Sequence, residues 1–240
     1  MNRRNFIAAA AATTTLAAGH SIFGGSESNA SEVKGFVTGK YKLTPPSKES
    51  IPVAMLISEN LNVIDFSGPW GVFESVSLPN AMEPPFRLFT VSEKAEVVIS
   101  GSGLKLMPDY TFANVPEVRV VVIPAQKGSD AMIDWLRKIA KTADVTMSVC
   151  TGAFKLAKAG LLSGKPATTH HEFFDKLENQ YPDIQVKRGV RFVENEKIST
   201  AGGLTSGTDL ALRVVERYFG RDVAQTTANY MEYQGTGWIV

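Results

Sequence analysis

The chain has 240 residues, 44% apolar and 20% charged, which excludes a wholly disordered chain and a multi-span membrane protein. Its 25 basic and 24 acidic residues leave no cationic excess to neutralise phosphates, so charge gives nucleic-acid binding no support. One cysteine excludes an internal disulfide framework and a tetrathiolate metal site, and three histidines leave little for a histidine-rich centre.

Residues 1–30 read as an export signal. Arg3 and Arg4 are adjacent, Phe6 follows, and a small, apolar run extends from Ile7 to Ala18, broken only by Thr13 to Thr15. Ser28-Asn29-Ala30 closes the stretch as a small-x-small cleavage site. The arginine pair with Phe6 is similar to the twin-arginine type of signal. The apolar stretch of about a dozen residues falls short of the roughly 20 that a spanning helix needs. An N-terminal anchor or a plain tail is the alternative. The expectation is therefore export to the periplasm, cleavage near Ala30 and no stable membrane insertion afterwards. Residues 31–50 are polar, with Gly35, Gly39 and Pro45-Pro46, and read as an exposed, flexible leader. His20 lies in the signal, so the mature chain keeps only His170 and His171.

From residue 51 onward apolar runs alternate with helix-period segments, over one domain spanning 51–240. Ile51 to Ser58 is a near-continuous apolar run, as a strand buried on both faces requires. Gly68 to Val76 is a short helix candidate, and Phe86 to Ser92 a second strand. Val97 to Leu106 reads as two short strands around Gly101 and Gly103, and Val118 to Ile123 as a buried strand ended by Pro124. Ser129 to Lys141 carries apolar residues at Met132, Ile133, Leu136 and Ile139, an amphipathic helix capped by Ser129 or Asp130. Asp144 to Val149 is a strand and Gly152 to Ala159 a helix. Ile184 to Val193 and Lys197 to Thr200 give further strands, and Ser206 to Phe219 a long helix. Such alternation implies an α/β fold with a mostly parallel sheet and helices on both faces.

Cys150 follows a buried strand and precedes Thr151, Gly152 and Ala153. Small residues at the second position on each side, Ser148 and Gly152, suit a sharp strand-to-helix turn of the nucleophile-elbow kind. Placement at a helix N-terminus lowers a cysteine pKa from ~8.5 to roughly 4–7, so a partly exposed, low-pKa thiol is expected. A buried, inert core cysteine satisfies the same local sequence.

The segment from Ser148-Val149-Cys150-Thr151-Gly152 to Ala167-Thr168-Thr169-His170 resembles the cysteine region of the ThiJ/PfpI superfamily. More narrowly, it resembles the branch that holds isonitrile hydratases and the amidase-like halves of AraC-type regulators. Asn62-Val63-Ile64-Asp65-Phe66-Ser67-Gly68-Pro69 is similar to that branch's Asp-x-x-Gly-Pro after the first strand. Thr200 to Asp209 is similar to its glycine-rich turn, and with Glu232-Tyr233 the resemblance covers about residues 51–235. It implies a flavodoxin-like three-layer α/β/α sandwich, a homodimer, and no metal or organic cofactor.

Carried over by that resemblance, Cys150 would be the nucleophile and Asp65 the neighbouring acid and base; the alternative for Asp65 is a helix N-cap near Gly68. Burial among Phe66, Pro69 and Trp70 would favour a protonated Asp65. Thr151 would supply a backbone N–H and a hydroxyl to an oxyanion site. After Pro124 relatives commonly carry two glycines where this chain has Ala125-Gln126. The Gln126 N–H would be the second oxyanion donor, with less room left for substrate. His170 stands where other branches place a catalytic histidine, and is read here either as a partner of Cys150 or as a residue outside the site. Adjacent His170 and His171 do not share a face, which argues against a metal site. Gly202-Gly203 to Gly207 reads as a close-packed turn and not a phosphate loop.

The leading functional reading is a cysteine-dependent hydratase or hydrolase of a small carbon–nitrogen substrate. The alternatives are a non-catalytic ligand-sensing domain, as in the regulators of that branch, and a thiol redox sensor.

Overall fold

Alternating apolar strands and amphipathic helices become one central sheet covered on both faces in the computed structural model, which describes residues 33–47, 49–79 and 81–240. The export signal expected over residues 1–30 lies outside the described residues. In chain order the first elements are β1 (Phe36–Val37), β2 (Ile51–Leu56), α1 (Val63–Glu74), β3 (Phe86–Ser92), β4 (Val98–Ile99), β5 (Lys105–Leu106) and β6 (Tyr110–Thr111). There follow β7 (Val120–Ile123), α2 (Asp130–Thr142), β8 (Val145–Val149), α3 (Ala153–Lys158), β9 (Pro166–Ala167) and α4 (Phe174–Gln180). The last are β10 (Gln185–Val186), β11 (Phe192–Glu194), β12 (Ile198–Ala201), α5 (Ser206–Phe219) and α6 (Arg221–Tyr230).

Eight strands run in the order β1-β11-β12-β8-β7-β2-β3-β6, and every neighbouring pair is parallel except β11 with β12. Every residue of β2, β7 and β8 is buried, which explains their unbroken apolar sequence. Val53, Met55, Val122, Met147 and Val149 pack on one face against α1, α5 and α6. Ala54, Leu56, Val121 and Ile123 pack on the other against α2, α3 and α4. Each fully buried large aliphatic side chain contributes roughly 1.5–3 kcal/mol, so these two layers carry most of the fold's stability. The three-layer α/β/α architecture expected from the sequence is the one observed. Among the described residues no helix is long and apolar enough to cross a membrane.

Several elements differ from the expected bounds. Helix α1 starts at Val63, five residues before Gly68, because the sequence hides its start. Asn62 makes no side-chain cap, and Pro69 inside the helix removes the N–H that would bond to the Asp65 carbonyl. The single strand expected over Ile184 to Val193 is two, β10 and β11, separated by Gly189 at φ +66°. The expected N-cap is confirmed: Ser129 Oγ accepts the Met132 N–H at 3.1 Å.

The leader is also corrected. Instead of a bare spacer, residues 33–47 include β1, which pairs in parallel with β11, Phe36 opposite Val193. The Thr38 N–H donates to Glu194 O at 3.1 Å and the Leu43 N–H to Arg217 O at 2.9 Å. Main-chain bonding holds this segment, so its polar, proline-containing sequence gave no hydrophobic period to read.

Candidate active site

Four neighbouring parallel strands, β2, β7, β8 and β12, end at one edge of the sheet, and the loops that follow them meet there. They bring Asn60 to Asp65, Ala125-Gln126, Cys150-Thr151 and Gly202 to Leu204 around an open depression of about 620 Å³. This is where an open α/β sheet places its ligands.

Cys150 sits at φ +57°, a left-handed conformation that costs a non-glycine residue roughly 1–3 kcal/mol. Its surroundings enforce it: the Cys150 N–H donates to Gly202 O at 2.8 Å, and its carbonyl accepts the Thr169 hydroxyl at 2.9 Å. A Cβ at residue 152 would lie 2.1 Å from Ile123 O, so only glycine permits the turn. The elbow expected from the small residues is therefore present.

The thiol's protonation is the reverse of the expectation. Cys150 is only 6% exposed, and burial, then the negative charge of Asp65, pushes its thiol up to about 11. The main-chain N–H groups of Thr151 and Leu204 and the Thr151 hydroxyl work against that shift by bonding to sulfur. Desolvation outweighs the turn's dipoles because α3 has six residues and the sulfur is closed off from water.

Asp65 lies in the first turn of α1, fully buried, and is not the N-cap, which is Asn62. Its Oδ2 accepts the Ala125 N–H at 3.0 Å. Its Oδ1 has no hydrogen bond of ordinary geometry, and the thiol of Cys150 is the polar group that favours its charged form. Burial nevertheless dominates and raises the carboxyl to about 6. Above that value the pair holds one proton, on sulfur, and one negative charge, on Asp65. The protonated Asp65 expected from its apolar neighbours thus exists only below about pH 6.

Gln126 lines the depression but is 7% exposed, its Nε2 donating to Leu56 O at 3.0 Å. The side chain is turned into the protein, which leaves the depression open despite the missing glycine. His170 reaches the rim, with Nδ1 accepting the Glu172 N–H at 3.4 Å and its ring stacked on His171 at 4.5 Å. The groups that act on the thiol are Asp65, Thr151 and Leu204, so His170 stands beside the proton path and not in it. Gly203 is required by His170, whose ring would be 2.4 Å from an added Cβ, and Gly207 by Val149 and Pro69. The glycine-rich turn is a packing device. Among the described residues no three His, Cys, Asp or Glu side chains cluster to hold a metal.

Two contributors were not visible in the sequence. Leu204, at φ +51°, directs its N–H at the sulfur; the preceding Gly202-Gly203 pair was the only hint of an unusual backbone. Lys155, on α3, is held below the ordinary lysine value by burial and is opposed in this by the charge on Cys150.

The DJ-1/PfpI family model matches residues 52–217. The chain belongs to the DJ-1/PfpI family. Among DJ-1/PfpI relatives, isonitrile hydratase of Pseudomonas putida is 32% identical over 190 residues, covering 77% of this chain and 79% of that protein. The HTH-type transcriptional regulator CdhR of Pseudomonas aeruginosa is 26% identical over 58% of this chain and only 43% of its own length. The crystal structure of a ThiJ/PfpI family protein from Pseudomonas syringae superposes with a TM-score of 0.69 at 25% identity, covering 79% of this chain and 77% of that one.

Proposed function

We propose that this protein is a cysteine-dependent hydratase of a small carbon–nitrogen substrate, of the isonitrile type. The observation that carries the reading is the Cys150 thiol, held at an elbow beside the buried, ionised Asp65. The similarity to isonitrile hydratase over 77% of the chain supports it.

In the first step Asp65 takes the thiol proton as sulfur attacks the terminal isonitrile carbon, and returns that proton to the same carbon. The product is a thioimidate, R–N=CH–S, on Cys150. Water then adds to that carbon, with Asp65 as base, the C–S bond breaks and sulfur regains its proton. The released product is an N-substituted formamide, and atoms balance as isonitrile plus water. Thr151 and Leu204 stabilise sulfur's charge while it is the nucleophile and again while it is the leaving group. The test is incubation of purified protein with an alkyl isonitrile and a panel of activated amides. Formamide production supports the hydratase. Saturable binding without turnover would instead favour the ligand-sensing reading, which the similarity to CdhR supports.

We also propose that Arg3 and Arg4 direct export of the folded protein by the twin-arginine route. Replacing both by Lys should leave uncleaved precursor in the cytoplasm, and unchanged export of that double variant would rule the route out.

A further inference from the structure

At the end of the sheet away from Cys150 lies a second cavity, of about 350 Å³, lined by Lys40, Lys42, Arg213, Arg217, Arg221 and one carboxylate, Glu216. Helix α5 links the two regions, and its 14 residues span about 20 Å, so the cavities are separate. The leader contributes two of the cations, which only its docking along β11 makes local.

The charges in this cavity are not balanced. Arg213 is bidentate to Glu194, at 3.0 and 3.2 Å, and its Nη1 lies 3.0 Å from Glu216. Arg221 Nε takes the other Glu216 oxygen at 2.7 Å. Both carboxylates are thereby used. Arg217, whose side chain is 1% exposed, donates only to main-chain oxygens: Nε to Tyr41 at 3.2 Å and Nη2 to Glu196 at 2.6 Å. Its Nη1 is buried with no hydrogen-bond partner, and the nearest carboxylate oxygen, of Glu194, is 3.9 Å away. A buried guanidinium with a free N–H and no close counter-charge is costly unless an anion completes it. The N-terminus of α6 opens on the same cavity at Gly220 and Arg221 with no side-chain cap, adding unused main-chain N–H groups.

We infer that this cavity binds a phosphate-type oxyanion, free or as a phosphomonoester, with Arg217 as its buried anchor and Lys40 and Lys42 closing over it. An oxyanion there accepts from Arg217 Nη1, brings a second negative charge against three arginines, and neutralises two lysines that have no ion pair among the described residues. A dianion suits this excess better than a monocarboxylate, because five cations face a single lining carboxylate.

The experiment is thermal unfolding and calorimetric titration of the full chain with inorganic phosphate, against sodium chloride at matched ionic strength. Phosphate should give a saturable rise in Tm and a binding isotherm in wild type, unchanged in Cys150→Ala. The double variant Lys40→Ala/Lys42→Ala, on exposed chain, should fold normally and bind roughly three- to tenfold more weakly. A rise equalled by chloride, an affinity unchanged in the lysine double variant, or a loss in Cys150→Ala would each overturn the assignment. A phosphomonoester that binds more tightly than phosphate would identify the ester as the occupant.

Discussion

Asp65→Asn will lower isonitrile turnover by about 10²–10⁴-fold while making the Cys150 thiol more reactive toward iodoacetamide. The two effects have opposite signs because Asp65 plays two parts. Its negative charge raises the thiol, so a neutral amide brings the thiol below about 11 and increases the thiolate fraction at pH 8. Alkylation, which needs only thiolate, should then accelerate by roughly tenfold for each unit the thiol falls. Turnover needs in addition a group that takes the sulfur's proton and delivers it to carbon, and an amide cannot do so. Cys150→Ala should abolish both, lowering turnover by at least about 10⁴-fold, since no other nucleophile faces the depression on this reading. Alkylation and turnover falling together in Asp65→Asn would mean that the carboxylate activates the resting thiol, against the proton placement described above.

The same substitution should stabilise the fold. Asp65 titrates near 6 when folded against an ordinary value of 3.8, so the folded state holds the extra proton between those values. Stability therefore falls as pH rises through that window and stays low above it. The difference of about two units corresponds to roughly 3 kcal/mol of burial cost at pH 7.5. Asparagine occupies the same space, carries no charge and can still accept the Ala125 N–H through its carbonyl. Urea unfolding at pH 7.5 should place Asp65→Asn about 2–3 kcal/mol above wild type, with the gap shrinking below about 1 kcal/mol at pH 4. A gap of the same size at both pH values would show that the carboxylate is not strained by burial. A buried acid that lowers stability yet is kept beside a nucleophile fits a catalytic role better than a structural one.

Elements with strong apolar patterning were legible: β3 and α5 have the bounds expected, and β2, β7, β8 and α2 differ by one or two residues. Helix α1 was mistimed by Pro69 and the weak Asn62 cap, both local signals pointing away from what packing against α5 and β3 enforces. Strand β1 left no trace in the side chains because main-chain bonds to β11 hold it.

At the site, the sequence by itself determined which residues carry the chemistry. Cys150, Asp65 and Thr151 follow directly on strands of one parallel sheet, and parallel strands deliver their following loops to one edge. What it did not determine was where the proton sits. The expected low thiol pKa came from the local turn, whose dipoles do act on sulfur, yet the burial of Cys150 and the charge of Asp65 both raise it. Those terms depend on how closely loops from β2, β7 and β12 shut water out, and on residues 54 to 85 positions away in sequence. Desolvation is a property of the assembled surroundings and has no period or motif. Only the tertiary structure could therefore decide that the resting pair is thiol and carboxylate, with the acid and the nucleophile poised to exchange one proton.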